Sequence, residues 1–276
     1  MSFLVLILAI LIEKLSNGRQ IVQKDQWWYE QLKRCSTLLP KQHSLALLLA
    51  LSVPLLGLAL VLIAAQSVLY GLLLIPLHLV IVLYSFSRGD IRTALGPFRD
   101  AWRRQDTHAA NLAAQRDLLI QSEDPSGLLQ AVQGYMLWQG FQGFFAILFF
   151  YLIGGPLAAL TYRLLVLTSE QTYWPQAAGK ATRLLHILDW LPVRLLSISF
   201  ALIGNFITVS RTLMPNLLCI TEPADTLLSH TGRAAVEAEN DALGEKGTAI
   251  LDDIWLLLIR SALLWYASTA IWTLFF

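Results

Sequence analysis

Apolar residues run along this chain in long blocks, and the longest carries no charge. From Ser44 to Ser87, 44 residues pass without an Asp, Glu, Lys or Arg. A membrane-crossing helix needs about 20 apolar residues to traverse ~30 Å of hydrocarbon, so this block has room for two. Gln66 and Ser67 interrupt it near the middle, where a tight polar connector belongs between Leu45–Ala65 and Val68–Phe86. The pattern predicts a transmembrane hairpin over 44–87. A buried hairpin in a soluble core would not require so long an uncharged run.

Other apolar blocks extend the pattern. Tyr135–Tyr162 is a second uncharged run of 28 residues, and Leu195–Ser210 a third of 16. Ile254–Phe276 is apolar apart from Arg260, which fits a side chain snorkelling to one interface. Met1–Ile12 is apolar but would reach only about 18 Å as a helix. It lacks a basic start and leads into Glu13 and Lys14, so a short retained helix is expected rather than a removed signal peptide. The whole predicts an all-α polytopic membrane protein, one membrane domain over 1–276 with about six membrane segments and amphipathic polar helices between them.

The polar intervals set the organisation. Residues 88–134 are rich in Ala and broken by Asp124-Pro125-Ser126-Gly127, which predicts a pair of helices outside the membrane. Residues 135–210 hold Gly154-Gly155-Pro156, where Pro156 removes an N–H and crowds the preceding turn. This predicts a broken helix, tolerated in a membrane only when buried in protein or lining a wet cavity. Gly140 and Gly143 would let another helix come close. Residues 211–250 read as an acidic polar loop, and 251–276 as a C-terminal membrane helix. Basic residues flank both ends of the hairpin, Lys33, Arg34 and Lys41 before it and Arg88, Arg92 and Arg99 after it. The positive-inside rule then puts 13–43 and 88–134 in the cytoplasm and the Gln66–Ser67 connector outside.

Composition narrows the function classes. Charged residues make up 14% of the chain and hydrophobic ones 56%, and 20 basic against 19 acidic side chains leave +1. No global field draws nucleic acid; the lipid bilayer is the expected partner. Nine Trp and eight Tyr suit interfacial surface, and Trp27-Trp28-Tyr29 beside basic residues reads as an interfacial belt. Cys35 and Cys219 stand far apart, which excludes a paired-cysteine metal site. No Walker-type loop, nucleophile elbow or His-Glu-x-x-His motif occurs, and no catalytic residue, metal or cofactor is assigned.

Charges at the edges of apolar runs are the best pointers to a site, because burying one without a partner is costly. His186 and Asp189 are three apart and can share a helix face. Pro192 suits the first turn of a new helix, with Arg194 beside its N-terminus. That electropositive corner could hold a phosphate or other small anion, or an internal ion pair with Asp189 or Asp106. Asp106, Thr107, Arg163, His186, Asp189 and Arg194 are the candidate polar or anion-binding residues, expected to converge near the cytoplasmic interface.

At these segments the chain resembles a known family. Gln105-Asp106-Thr107-His108-Ala109, the Leu152–Pro156 stretch with Tyr162-Arg163, and the run from His186 to Arg194 with Ala201–Gly204 behind it look like the AmpE family. The resemblance implies an inner-membrane protein with an accessory or signalling role in cell-wall and β-lactamase induction, and a possible protein partner there. That family is in turn similar to adenosylcobinamide-phosphate synthase, a membrane enzyme that uses ATP to join an aminopropanol unit to a corrinoid carboxylate. Asp106, Thr107, Arg163, Pro192 and Arg194 match the synthase motifs. Its acidic positions read here Trp138-Gln139, Gln142, Ser169 and Leu185-His186. An ATP-using ligase needs hard oxygen ligands for Mg²⁺ near the phosphates, so these losses imply a non-catalytic relative. The alternatives are a working ATP-dependent enzyme of that kind, or a small transporter suggested by the Gly154–Pro156 break.

Overall fold

The computed structural model describes Val5, Leu8 and residues 25–38, 42–66, 72–86, 91–122, 124–240 and 242–275. The Met1–Ile12 helix and the Ser67 half of the connector fall essentially outside them. All regular structure among the described residues is helical. We number the α-helices α1 Gln26–Leu38, α2 His43–Gln66, α3 Leu74–Ser85, α4 Ile91–Arg103, α5 Thr107–Ala113, α6 Pro125–Gly140, α7 Ala146–Glu170, α8 Pro175–Ile203, α9 Phe206–Leu213, α10 Ala224–Ala235 and α11 Glu245–Phe275. Wider π-type turns follow α5 at Ala114–Leu118 and join α6 to α7 at Phe141–Phe145.

Four stretches are long and apolar enough to cross a membrane: His43–Gln66, Pro125–Glu170, Pro175–Ile203 and Glu245–Ile271; α3 is a shorter apolar helix. In α2, Ala46, Leu47, Ala50 and Leu51 are buried while Leu48, Val53, Leu56, Leu60 and Ile63 stay exposed. An apolar surface all the way round is what a helix facing lipid requires.

The chain divides into two compact units. One holds residues 1–88 and 146–188, the other 89–145 and 189–276. In the first, α1 lies on α2, and α2 and α3 pack on α7. Its core is formed by Trp28 and Leu32 of α1, Ala46 and Ala50 of α2, Val82 of α3 and the run Tyr162–Thr168 of α7. In the second, α10 and α11 pack on α6, and α4 packs on α5 and α11. Leu95, Phe98 and Trp102 form the buried stripe of α4, with Phe98 stacked on Trp102. Gly140 admits α11 closely: a β-carbon there would meet Leu258 Cδ1 at 3.0 Å. Asp124 caps α6 by accepting from Gly127 N, with Pro125 in the first turn, where its missing N–H costs nothing. The hydrogen bonds from Ser126 and Gly127 hold the Asp124 carboxyl below its ordinary pKa.

Two expectations need correction. Pro192 does not start a helix: α8 runs from Pro175 to Ile203 straight through it. Proline in a helix interior costs ~3 kcal/mol, but Val193, Leu196 and Phe200 beyond it are fully buried, and that packing outweighs the lost bond. Residues 211–250 are not one polar loop, since Ala224–Ala235 is the helix α10. Its buried Leu227, Leu228, Thr231 and Ala235 recur at helical spacing, a stripe that the acidic neighbours obscure in the sequence.

Candidate functional site

Arg163 sits on α7 in the first unit, with 9% of its side chain exposed. Its Nη2 lies 3.5 Å from Oδ2 of Asp25, whose side chain is 1% exposed, just before α1. Two charges taken out of water need each other, and this carboxylate was not among the sequence candidates. The Tyr84 hydroxyl of α3 hydrogen-bonds the same carboxylate and accepts from Trp27 Nε1 at 3.1 Å. Arg163 Nε is buried with no partner among the described residues.

Each aromatic residue of Trp27-Trp28-Tyr29 has its own partner around this pair. Trp28 is fully buried and donates from Nε1 to Thr168 Oγ1 at 3.2 Å, and the Tyr29 carbonyl accepts from Tyr173 at 3.2 Å. Trp27 alone keeps substantial exposure. The cluster expected to be an interfacial belt thus also fastens α1 onto α7. Gln171 braces the next turn, accepting from Trp174 N and donating to Trp174 O at 2.8 Å each. Partial burial of Tyr173 beside that turn pushes its hydroxyl up to about 12.

Arg194 lies in the second unit, 4% exposed, on the apolar half of α8. Its hydrogen bonds all end on backbone carbonyls. Nη1 donates to Trp190 O at 2.8 Å, Nε to Leu217 O at 2.5 Å, and Nη2 to Asn216 O at 3.1 Å and to Cys219 O. The guanidinium also stacks over the Trp190 ring, 4.4 Å from its centroid. A planar fork suits several acceptors at once in a way an ammonium does not. Glu222 adds a nearby negative charge.

The remaining candidates are placed as follows. Asp106 is exposed and caps α5, its Oδ1 accepting from Ala109 N at 2.9 Å; Thr107 is the first residue of that helix. Such a cap satisfies an orphan N–H of the first turn. Gln105 before it has φ 61, an uncommon left-handed backbone for a residue with a side chain. Asp189 is buried and His186 half-buried, both on α8.

A second polar network of the same unit had no sequence signal. Arg233 of α10 donates to Gln133 Oε1 at 2.9 Å and to Asn240 Oδ1 at 2.6 Å, and Gln130 reaches the same Asn240 oxygen at 3.1 Å. Gln133 is fully buried in α6, and neutral amides spaced far apart in sequence announce nothing. Arg99 pairs with Asp252 at 2.7 Å, tying α4 to α11. Among the described residues no group of three His, Cys, Asp or Glu side chains is arranged to hold a metal ion.

The chain is 29% identical over 178 residues to Protein AmpE of Shigella flexneri, a match covering 60% of this chain and 63% of that protein. The chain therefore matches less than two thirds of that relative's length. No solved structure matches. The family model described as regulatory signalling modulator protein AmpE matches residues 1–218, which take in α1 to α10's approach and every candidate residue above, and the chain belongs to this AmpE family.

Proposed function

We propose that this protein is a multi-pass inner-membrane modulator of the cell-wall and β-lactamase induction response, acting through a protein partner and without ligase chemistry of its own. Membership of a family of regulatory signalling modulators is the observation that carries the reading. The four membrane-length helices support a lipid environment. The basic flanks of 44–87 support a cytoplasmic 88–134, where a cytoplasmic partner would meet it.

The residues shared with the corrinoid synthase pattern serve here as structural fasteners. Asp106 caps a helix, Arg163 neutralises Asp25, and Arg194 holds a turn by its carbonyls. These contacts account for the retention of the arginines without a phosphate to bind. Purified protein given a corrinoid acid, aminopropanol phosphate and Mg-ATP should form no amide product. A strain lacking the chain should show an altered β-lactamase response to an inducing β-lactam, restored by the wild-type gene. Amide turnover above a vector control would overturn the non-catalytic reading; an unchanged response would overturn the regulatory one.

We also read Tyr135–Tyr162 as a crossing interrupted at Gly154-Gly155-Pro156. Gly155 has φ 65 and ψ −158, outside helical values and in a region essentially restricted to glycine. A β-carbon at Gly155 would meet nothing within 4 Å, so substitution tests the backbone alone. Gly155→Ala should destabilise the protein by about 1–3 kcal/mol, read as a lowered midpoint of thermal unfolding in detergent. An unchanged midpoint would mean that no fixed break exists there.

A further inference from the structure

From Leu195 to Thr221 the chain carries one charged side chain, Arg211, yet it is not one straight helix. α8 ends at Ile203, and Gly204-Asn205 turns the chain into α9. The backbone of this turn is met at once: Gly204 N donates to Phe200 O, Asn205 N to Ala235 O, and Asn205 Oδ1 accepts from Ile207 N and Thr208 N. Arg194 lies about 13 Å back along α8 from its end, and the eight residues of α9 return about 12 Å. The turn after α9 therefore arrives at the level of Arg194, whose guanidinium takes the carbonyls of Asn216, Leu217 and Cys219. α10 then runs back, with Thr231 meeting Ser197 at 3.0 Å and Ala234 O accepting from Thr208 Oγ1 at 2.8 Å.

Irregular backbone within hydrocarbon is stable only where its polar groups are satisfied by protein, and an arginine at that depth needs acceptors. Here each supplies what the other lacks. The direction is also fixed. Asp253, near the polar start of α11, faces Ile203 and Gly204 across a small cavity, while Trp265, twelve residues into its apolar part, donates to Ser199 Oγ at 2.9 Å. Following α11 into its apolar part thus leads from the Gly204 end toward Arg194. At that end Met214 is 67% exposed, Leu218 80% and Ile220 65%. Leu195, Ile198 and Leu202 of α8 are exposed as well. Arg211, exposed on α9, has the reach to snorkel to headgroups.

We propose that α9, the turn Met214–Pro223 and α10 form a re-entrant element that enters the bilayer beside α8, with Met214, Leu218 and Ile220 against lipid acyl chains and Arg194 as its internal fastener. This rests on the reading of the chain as a membrane protein. The test uses the full chain with Cys35→Ser and Cys219→Ser, carrying Leu218→Cys or, separately, Ile220→Cys, labelled with bimane. Each is reconstituted in phosphatidylcholine vesicles with or without brominated acyl chains, with iodide on both sides as the aqueous quencher. Leu60→Cys on the exposed face of α2 is the membrane control. The expected result is bromolipid quenching at 218 and 220 comparable to that at 60, with iodide ineffective. Iodide quenching at 218 and 220 while 60 responds to bromolipid would overturn the proposal and leave the membrane reading standing. Insensitivity to both quenchers would overturn it in favour of a protein cover. No bromolipid quenching at any position, 60 included, would overturn both.

Discussion

Asp25→Ala should cost about 3–5 kcal/mol of stability, because it leaves the Arg163 guanidinium buried without its carboxylate. The effect should exceed the sum of visible contacts, since the penalty is the desolvation of an unpaired charge. Thermal unfolding in detergent measures it as a lowered midpoint. Arg163→Ala should be nearly as damaging, as it strands Asp25 beside Tyr84. The double variant Asp25→Ala with Arg163→Met should recover much of the loss, because an apolar side chain of similar length suits the surrounding core. Additive losses in this cycle would show that the two side chains are not coupled. A single Asp25→Ala within about 1 kcal/mol of wild type would show that the pair carries no buried charge penalty.

Arg194→Ala should release the turn at 216–219. Hydrogen bonds to a charged donor contribute about 1.5–3 kcal/mol each, and three carbonyls of the turn lose theirs together. With non-additivity among neighbours, a net loss of about 3–5 kcal/mol is expected. Arg194→Lys should restore only part, because an ammonium cannot present the fork that reaches Leu217 and Asn216 at once. The readouts are folded yield and protease cutting between Leu213 and Ala224, which should rise sharply in the alanine variant. Normal yield and unchanged cutting, combined with lost signalling, would instead assign Arg194 to an anionic ligand. In that case phosphate-bearing compounds should raise the wild type's melting temperature.

The long elements were legible in the sequence because lipid imposes a length and a charge rule. The uncharged block at 44–87 contains α2 and α3, and Asp124-Pro125 marks the start of α6. Arg163 and Arg194 could be recognised as charges in need of acceptors. The acceptors could not. Asp25 lies 138 positions from Arg163, and nothing local ties the two. The acceptors of Arg194 are carbonyl oxygens, which every residue carries and no side-chain pattern reports. Pro192 misled because local propensity argues for a break, while the buried Val193, Leu196 and Phe200 hold the helix through it. α10 was hidden for a related reason: acidic count dominated a segment whose six buried positions decide its conformation.

Each of the two units is assembled from two separate stretches of chain, and this sets a clock on biosynthesis. Trp28 finds its hydroxyl on Thr168, and Trp102 its carbonyl at Ala242; both bonds join residues 140 positions apart. At about 5–20 residues per second, a ribosome takes roughly 7–28 s to deliver the second partner after the first. For that interval α1 and α4 have emerged with their tryptophans unmatched, and neither unit can close behind the ribosome. A nascent chain stalled shortly before Thr168 would hold α1 to α3 without the helix they pack on, so quality-control proteases should find its N-terminal third as accessible as its newest residues.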